Sequence, residues 1–449
     1  MYRRKLLGPA DAVNLGYVSS MEEDRQITRE VVEVLIAHVE ELKTLHLIPE
    51  HVAVKIMNEL ENLLKDPSRL FEIQAEDIHE AIEIHLRTVV GLEAGYLPLG
   101  RSRNDHVAAA LRLKVKRALV AQAIALLNLR EVLIKKARES LKTLMIAFTH
   151  TQPAQVTTFA HYLTYIDEVI STYLKVMLVV LEVVDKSPLG SGPAAGVMTP
   201  INRERIASNL FNGIVYNTLN ASGGRDFIVL SMALNASLLT FLSRIAEDLI
   251  ISSAPQLSYV RLPNEHLSTS SIMPHKRNPV TLEVARAKAA EAIGHLTTSL
   301  AIVKGLPSGY SLDLQEINKH ALKVLQDTLE TITILADVVK GLEVNNESIT
   351  RDLENYPVLA SELAELIAIK SGRPYREVYE EMAELVRDSK NVAELYGSVK
   401  AKYGVSLSYE DVASLRPVKG STNSESVLTY LSTAEREIEF YRSKLRQIP

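Results

Sequence analysis

Apolar residues recur every three or four positions through the middle of the chain, and no glycine or proline interrupts residues 107–148. The repeat includes Leu111, Val115 and Leu119, and this spacing is typical of one face of an α-helix. At 1.5 Å per residue we expect a single helix roughly 60 Å long. Similar patterns continue at 154–186, 225–254, 280–304 and 313–344. Long helices of this kind need partners along their whole length, so the pattern predicts a helical bundle.

The segments on either side of this region are broken more often. Residues 26–100 read as shorter helices that end near Pro49, Pro67 and the stretch 91–100, and helices shorten again after residue 345. Alternating segments with hairpin signals do not recur, which favours an all-α fold. We therefore expect an N-terminal helical domain at 1–105, a central long-helix domain at 106–350 and a small C-terminal helical domain at 351–449.

Composition narrows the function. The chain has 449 residues, a formal net charge of −5 and no cysteine. A modest charge without basic clusters does not indicate binding to nucleic acid or to an anionic membrane. The absence of cysteine excludes disulfides, thiolate nucleophiles and Cys-ligated zinc. The first residues lack an apolar run of signal-peptide length, and no later segment has about eighteen uncharged apolar residues. We expect a soluble, unprocessed, cytoplasmic protein.

The most informative segment is 268–283, Ser-Thr-Ser-Ser-Ile-Met-Pro-His-Lys-Arg-Asn-Pro-Val-Thr-Leu-Glu. Its small hydroxyl residues bury little apolar surface, and a helical pattern follows the Lys-Arg-Asn cluster. This predicts a mobile polar loop in front of a helix. Such a loop can carry a hydroxyl to a substrate while cations and helix-start amides receive negative charge.

Other polar clusters lie at the ends of predicted helices. Gly-Arg-Ser-Arg-Asn-Asp at 100–105 brings guanidinium groups suited to carboxylates, although a helix cap by Asn104 or Asp105 explains it equally well. His150 lies in Thr-His-Thr-Gln-Pro-Ala-Gln at 149–155, which we expect to join two helices, and an isolated histidine is more often structural than catalytic. Similar clusters occupy 220–227 and 310–316.

Cofactor and metal motifs are lacking. The glycines at 190–196 do not follow Gly-x-Gly-x-x-Gly, and Pro193 would remove an amide donor from a phosphate cradle. The histidines form no His-Glu-x-x-His array or other dense ligand cluster. We therefore expect no cofactor and no catalytic metal.

Taken in order, these motifs resemble the fumarase/aspartase superfamily, and specifically its argininosuccinate lyases. The resemblance covers the segments at 100–105, 149–155, 220–227, 268–283 and 310–316 and continues more weakly at 372–377 and 420–422. It implies a fumarase/aspartase-like, all-α, three-domain subunit. It also implies a homotetramer with a twenty-helix core and active sites shared between three subunits. The activity it implies is reversible cleavage of argininosuccinate to arginine and fumarate, in arginine biosynthesis.

The same resemblance assigns roles to residues. Ser270 becomes the general base, Lys276 and Asn278 hold the carboxylate on which charge grows, and His150, oriented by Glu283, is the acid or relay at the nitrogen. The remaining expected contacts with substrate are Ser20, Asp24, Arg101, Ser102, Arg103, Asn104, Thr149, Arg225, Ser271, Tyr310, Gln315 and Lys319.

Several positions depart from the family pattern. Thr269 replaces a glycine. His275 and Arg277 make this segment match the motif of adenylosuccinate lyases. Asn318 occupies the position of a substrate-binding lysine, with Lys319 one residue later. Adenylosuccinate lyase therefore remains the first alternative, and a catalytically silent structural relative is the second.

Overall fold

A computed structural model describes residue 8 and residues 11–448 of the chain. The expectation about the first residues, that they form no signal peptide, falls almost entirely outside this described part. The architecture is all-α, as predicted: eighteen α-helices and six short strands make up the regular structure of the described residues, together with short 3₁₀ turns.

The N-terminal part consists of short helices. Proline and glycine interrupt it where expected, because Pro49 precedes one helix, Pro67 precedes a 3₁₀ turn and Gly91 has a φ of 86°. Asp77 caps the last of these helices by accepting a hydrogen bond from the Glu80 amide at 2.8 Å. The helices are α1 (Ala12–Val18), α2 (Met21–Asp24), α3 (Thr28–Thr44), α4 (Glu50–Lys65) and α5 (Ile78–Val89).

The centre is a bundle of five long helices, which confirms the main expectation from the sequence. The longest has 37 residues and spans about 55 Å, and the apolar side chains of Leu111, Val115 and Leu119 on it are buried. It packs against the second and fifth of the long helices, and the third packs against the fourth. The long helices are α6 (Arg103–Glu139), α7 (Phe159–Val184), α10 (Asp226–Ser253), α11 (Val280–Val303) and α12 (Asp313–Gly341), with short α8 (Arg203–Ala207) and α9 (Thr218–Gly223) between them.

The prediction that the first long helix continues to Phe148 is wrong. Helix α6 ends at Glu139, and the chain then forms a hairpin of β1 (Leu144–Thr149) and β2 (Gln152–Thr158). The β-branched run Val156-Thr157-Thr158 suits a strand, and it pairs with Leu144-Met145-Ile146. The spacing of Leu141 and Leu144 fitted a helix by coincidence. The segment around His150 still connects two helices, α6 and α7, but it is the tip of a hairpin and not a helix end.

Four further strands are very short. Strands β3 (Val260–Arg261) and β6 (Glu343–Val344) pair with each other, and so do β4 (Ser268–Thr269) and β5 (Arg277–Asn278). The second pair closes the base of the predicted mobile loop.

Short helices follow the bundle, as expected, but the last helix is long and returns to the centre. Arg130 of α6 is fully buried and binds both carboxylate oxygens of Asp167 on α7, at 2.8 and 3.0 Å. The last helix contributes Glu437, at 3.2 Å from the same guanidinium, and Tyr430, whose hydroxyl donates to Asp167 at 2.7 Å. These C-terminal helices are α13 (Asn346–Asn355), α14 (Ala360–Ser371), α15 (Tyr375–Asp388), α16 (Val392–Tyr403), α17 (Tyr409–Leu415) and α18 (Ser424–Leu445). The boundaries at 105/106 and 350/351 stay predictions.

Among the described residues, α10 is the one helix long and apolar enough to cross a membrane by length and composition. However, 61% of its most apolar stretch is buried inside the protein. Its neighbours are α7, α11 and α12, so it is a core helix of the bundle.

Candidate active site

A cavity of about 280 Å³ lies where α6 and α12 begin. It unites side chains from segments that are far apart in the sequence. Seven of the predicted substrate contacts line it: Ser20, Asp24, Arg103, Asn104, Arg225, Tyr310 and Gln315. The lining also includes Glu76, Asp77, His79, Val107, Leu312, Leu314 and Asn318.

The start of α6 is held by a capping box. Ser102 accepts a hydrogen bond from the Asn104 amide at 3.2 Å, and Asp105 accepts one from the Ser102 amide at 3.0 Å. The cap is thus Ser102 and not Asn104 or Asp105. Asp105 also accepts from the Gly192 amide at 2.9 Å, which attaches the turn at 190–196 to this site. Burial raises the pKa of Asp105 to about 6.

Asp24 is a buried acid on the cavity wall. The Ser20 hydroxyl donates to it at 2.8 Å and the Ile78 amide at 3.2 Å. No cation of the described residues forms an ion pair with it. Burial, opposed by these two hydrogen bonds, raises the pKa of Asp24 to about 6. The carboxylate is therefore mostly ionised at pH 7 and has no counter-ion among the described residues.

Arg225 is a buried cation on the cavity wall. Its side chain is buried, with 3% of the residue exposed, and its guanidinium donates to the Gly224 carbonyl at 3.1 Å. It lies 5.8 Å from the centre of the Tyr310 ring. No carboxylate of the described chain pairs with it, and burial lowers its pKa to about 10. The group remains charged at neutral pH, so it is suited to an anionic ligand.

Arg101, Arg103 and Ser102 differ in their surroundings. Arg103 lines the cavity and pairs with Asp77 at 3.0 Å. The Arg101 side chain is 5% exposed, bonds to Glu83 and does not line the cavity. The structure therefore gives Arg101 an internal ion pair, and its contact with substrate stays a prediction. Ser102 likewise serves as a helix cap outside the lining.

Helix α12 directs the side chains of Asn318 and Lys319 to different surroundings. Asn318 lines the cavity, is 6% exposed, and its Oδ1 has no hydrogen-bond partner among the described residues. Lys319 is turned about 100° away and bonds to Glu316 at 2.6 Å, with a side chain 46% exposed. Asn318 therefore lines the cavity and Lys319 does not, and the contact of Lys319 with substrate stays a prediction. Gln315, one turn earlier on α12, faces the cavity and donates to the Val18 carbonyl at 3.3 Å.

Three ionisable residues of the lining were not predicted from the sequence. Glu76, Asp77 and His79 come together just where α5 begins. His79 is 3% exposed, and neither ring nitrogen has a hydrogen-bond partner among the described residues. Burial, with Arg101 and Arg103 nearby, holds the pKa of His79 well below its usual range. The Glu-Asp-x-His run was the available signal, but it looks like an ordinary helix start.

The loop at 270–276 forms a second group. Ser270 Oγ accepts hydrogen bonds from the amides of Ile272 at 3.4 Å and Met273 at 3.2 Å. Ser271 and Lys276 are exposed, and Asn278 lies in the strand pair at the base of the loop. Glu283 follows in the first turn of α11 and is also exposed.

The hairpin tip with Thr149 and His150 forms a third group, and both residues are exposed. Neither this tip nor the loop at 270–276 contributes to the cavity lining. Within one chain, the described residues show no hydrogen bond or ion pair between His150 and Glu283. The cavity of one chain therefore does not unite all the predicted site residues.

The chain is similar to known lyases. A family model described as "Lyase" matches residues 5–294. The argininosuccinate lyase of Pyrococcus furiosus is 49% identical over 448 residues, covering 100% of this chain and 97% of its own length. That of Pyrobaculum calidifontis is 44% identical and covers 95% of this chain and 96% of itself.

Solved structures show the same fold. An EDDS lyase in complex with formate aligns with a TM-score of 0.83 at 24% identity, covering 97% of this chain and 90% of its own. The class II fumarase of Schistosoma mansoni aligns with a TM-score of 0.70 at 18% identity, covering 80% and 87%. The structures show the fold, and the full-length relatives at 49% and 44% identity show the family: the chain belongs to the argininosuccinate lyases.

Proposed function

We propose that this protein reversibly cleaves argininosuccinate to L-arginine and fumarate, as a cytoplasmic enzyme of arginine biosynthesis that needs no cofactor. Full-length relatives named argininosuccinate lyase favour this activity over adenylosuccinate cleavage. One structural observation carries the proposal: the cavity contains a buried acid and a buried cation, and neither has an oppositely charged partner among the described residues.

Such a cavity matches a zwitterion. The α-ammonium group of the arginine half would bind Asp24, and its α-carboxylate would bind Arg225, since a buried charge is stabilised only by a partner. Gln315 and Asn318 add neutral hydrogen-bonding groups to the same lining. A nucleotide offers no α-amino acid end to fill these positions.

The elimination needs a base at carbon and an acid at nitrogen. Ser270 would remove the proton from the carbon next to a carboxylate. The amides of Ile272 and Met273 donate to Ser270 Oγ, the atom that is negatively charged in the base form. The Lys276 ammonium and Asn278 would hold the carboxylate that accepts the electron pair. The C–N bond then breaks, the C–C double bond of fumarate forms, and His150 supplies a proton to the departing guanidino nitrogen.

These groups meet only if several chains assemble. Large apolar side chains remain exposed on the long helices, where a soluble monomer would place polar ones. We propose a homotetramer built on these helices, with each active site drawn from three subunits. The exposed apolar residues are Ile124 on α6, Tyr165, Val176, Val179 and Val183 on α7, Leu230 and Ile251 on α10, Val284, Ile293 and Leu300 on α11, and Ile334 on α12.

The decisive experiment is a comparison of substrates. The purified protein is incubated with argininosuccinate and, separately, with adenylosuccinate, and fumarate absorbance is followed. We expect fumarate from argininosuccinate alone, and a loss of at least a hundredfold in Ser270→Ala, because general base catalysis is typically worth 10²–10⁴. Fumarate from adenylosuccinate alone would establish the alternative, and none from either would favour a silent structural relative.

A further inference from the structure

The hairpin that carries His150 has an unusual turn. Its two central residues, His150 and Thr151, both have positive φ, 52° and 60°. Two-residue turns of this kind normally use Asn-Gly, because a side chain crowds the left-handed region. Among the described residues, positive φ otherwise falls on glycines and on His46 and Ser258. Thr151 is the one β-branched residue in that set, where such a backbone is a genuine outlier.

The strands of this hairpin are held by the core and by the C-terminal helices. Met145, Ile146 and Val156 are buried, and the Arg416 guanidinium donates to the Val156 carbonyl at 2.7 Å. Gln155 donates to Glu362 at 3.0 Å. The C-terminal helices thus fix the strands on which the turn is built.

The tip itself has few contacts. The His150 ring is exposed and makes no hydrogen bond or ion pair with the described part of the chain. Its position within one chain is therefore set by the backbone of the turn. The Thr151 hydroxyl donates to the His150 carbonyl oxygen at 2.6 Å, across the peptide bond that joins the two central residues.

We propose that Thr151 is a positioning residue for His150: its hydroxyl bond and left-handed backbone fix the direction in which the imidazole leaves the hairpin. Backbone strain is retained where a surrounding structure enforces it, and it concentrates at functional sites. A mobile imidazole would spend little time in line with the departing nitrogen, and a displacement of about 1 Å costs up to 10²-fold in rate. The inference rests on the proposed function, in which His150 supplies the proton.

Matched variants separate this role from a merely structural one. Thr151→Val keeps the branched shape and removes the hydroxyl, whereas Thr151→Ser keeps the hydroxyl. We expect kcat of Thr151→Val for argininosuccinate to fall about tenfold or more with KM within about twofold, and that of Thr151→Ser to stay within about threefold of the parent. Thr151→Gly, which relieves the crowding and so folds in any case, is expected to lose kcat as Thr151→Val does.

A second measurement needs no substrate. Amide hydrogen exchange of the peptide covering residues 144–158 is followed by mass spectrometry in the parent and the variants. We expect faster exchange at the tip in Thr151→Val and Thr151→Gly, and the parent rate in Thr151→Ser. This result decides the proposal even if the parent releases no fumarate from argininosuccinate, an outcome that would refute the proposed function alone.

Three results would overturn the proposal. The first is parental kcat in Thr151→Val and Thr151→Gly, which would mean that the turn positions nothing. The second is an equal loss of kcat in Thr151→Ser, which would mean that the hydroxyl bond is not what matters. The third is unchanged exchange at the tip in both Thr151→Val and Thr151→Gly.

Discussion

Asp24 and Arg225 line the same cavity, and each is a buried charge without an oppositely charged neighbour in the described chain. A protein that served only its own stability would pair these groups or replace them, because an uncompensated buried charge costs several kcal/mol. The arrangement is explained if a ligand brings the missing partners. It also distinguishes Asp24 and Arg225 from Arg103 and Asp77 of the same lining, which form an ion pair with each other at 3.0 Å.

Arg225→Gln tests the cation. We expect KM for argininosuccinate to rise about thirtyfold, since a hydrogen bond to a charged group is worth about 2 kcal/mol and 1.4 kcal/mol is tenfold. The free energy of unfolding should stay the same or rise, because a buried charge is removed. The measurement pairs steady-state kinetics with urea unfolding. The control is Arg205→Gln, which breaks a partly exposed ion pair with Glu41 and should leave KM unchanged. A parental KM in Arg225→Gln would contradict the assignment of Arg225 to the substrate carboxylate.

The raised pKa of Asp24 predicts that substrate binding depends on pH. Its pKa is raised to about 6 by burial, and only the ionised form can pair with an ammonium group. We therefore expect kcat/KM to be constant above this pKa and to fall about tenfold per pH unit below it. Asp24→Asn should have a low kcat/KM and lack this acid limb. If Asp24→Asn retained the same limb at the same pH, another group would be responsible.

Gly223→Ala tests the close contact between the backbones of Gly223 and Gly309. A Cβ at Gly223 would meet the carbonyl carbon of Gly309 at 2.6 Å, and this backbone precedes Tyr310. Because backbone has to move, we expect a loss of about 1–3 kcal/mol in the free energy of unfolding and a higher KM. Gly397→Ala lies in a helix with open space around its Cβ, so it should be neutral or slightly stabilising. Equal effects of the two substitutions on unfolding and KM would refute the argument.

Asp167→Asn tests the junction between the last helix and the bundle. The substitution leaves Arg130, which is fully buried, without its bidentate partner, so we expect a loss of about 3–5 kcal/mol in the free energy of unfolding. Arg138→Ala breaks a pair with Glu435 that is largely exposed and should cost under about 1 kcal/mol. Chemical denaturation of both variants measures the difference. A loss in Asp167→Asn no larger than in Arg138→Ala would show that the buried pair adds nothing.

The sequence was most reliable where a pattern repeats many times. The apolar spacing of Leu111, Val115 and Leu119 predicted the longest helix because dozens of residues share its period. It failed at Leu141 and Leu144, where only two apolar positions supported the helix. There the strand that begins at Leu144 pairs with Gln152–Thr158 and gains the backbone hydrogen bonds of a hairpin. Short segments take their structure from a partner, and a local pattern does not contain the partner.

Sequence by itself determined the all-α class, the five long helices and half of the residues that line the cavity, because helical periodicity and sequence motifs are local properties. Only the tertiary structure decided that Arg101 turns inward to Glu83, that Asn318 and not Lys319 faces the cavity, and that His79 joins the lining. These outcomes depend on which way a side chain points and which distant segment lies beside it. Both are fixed by packing between segments that are far apart in the sequence.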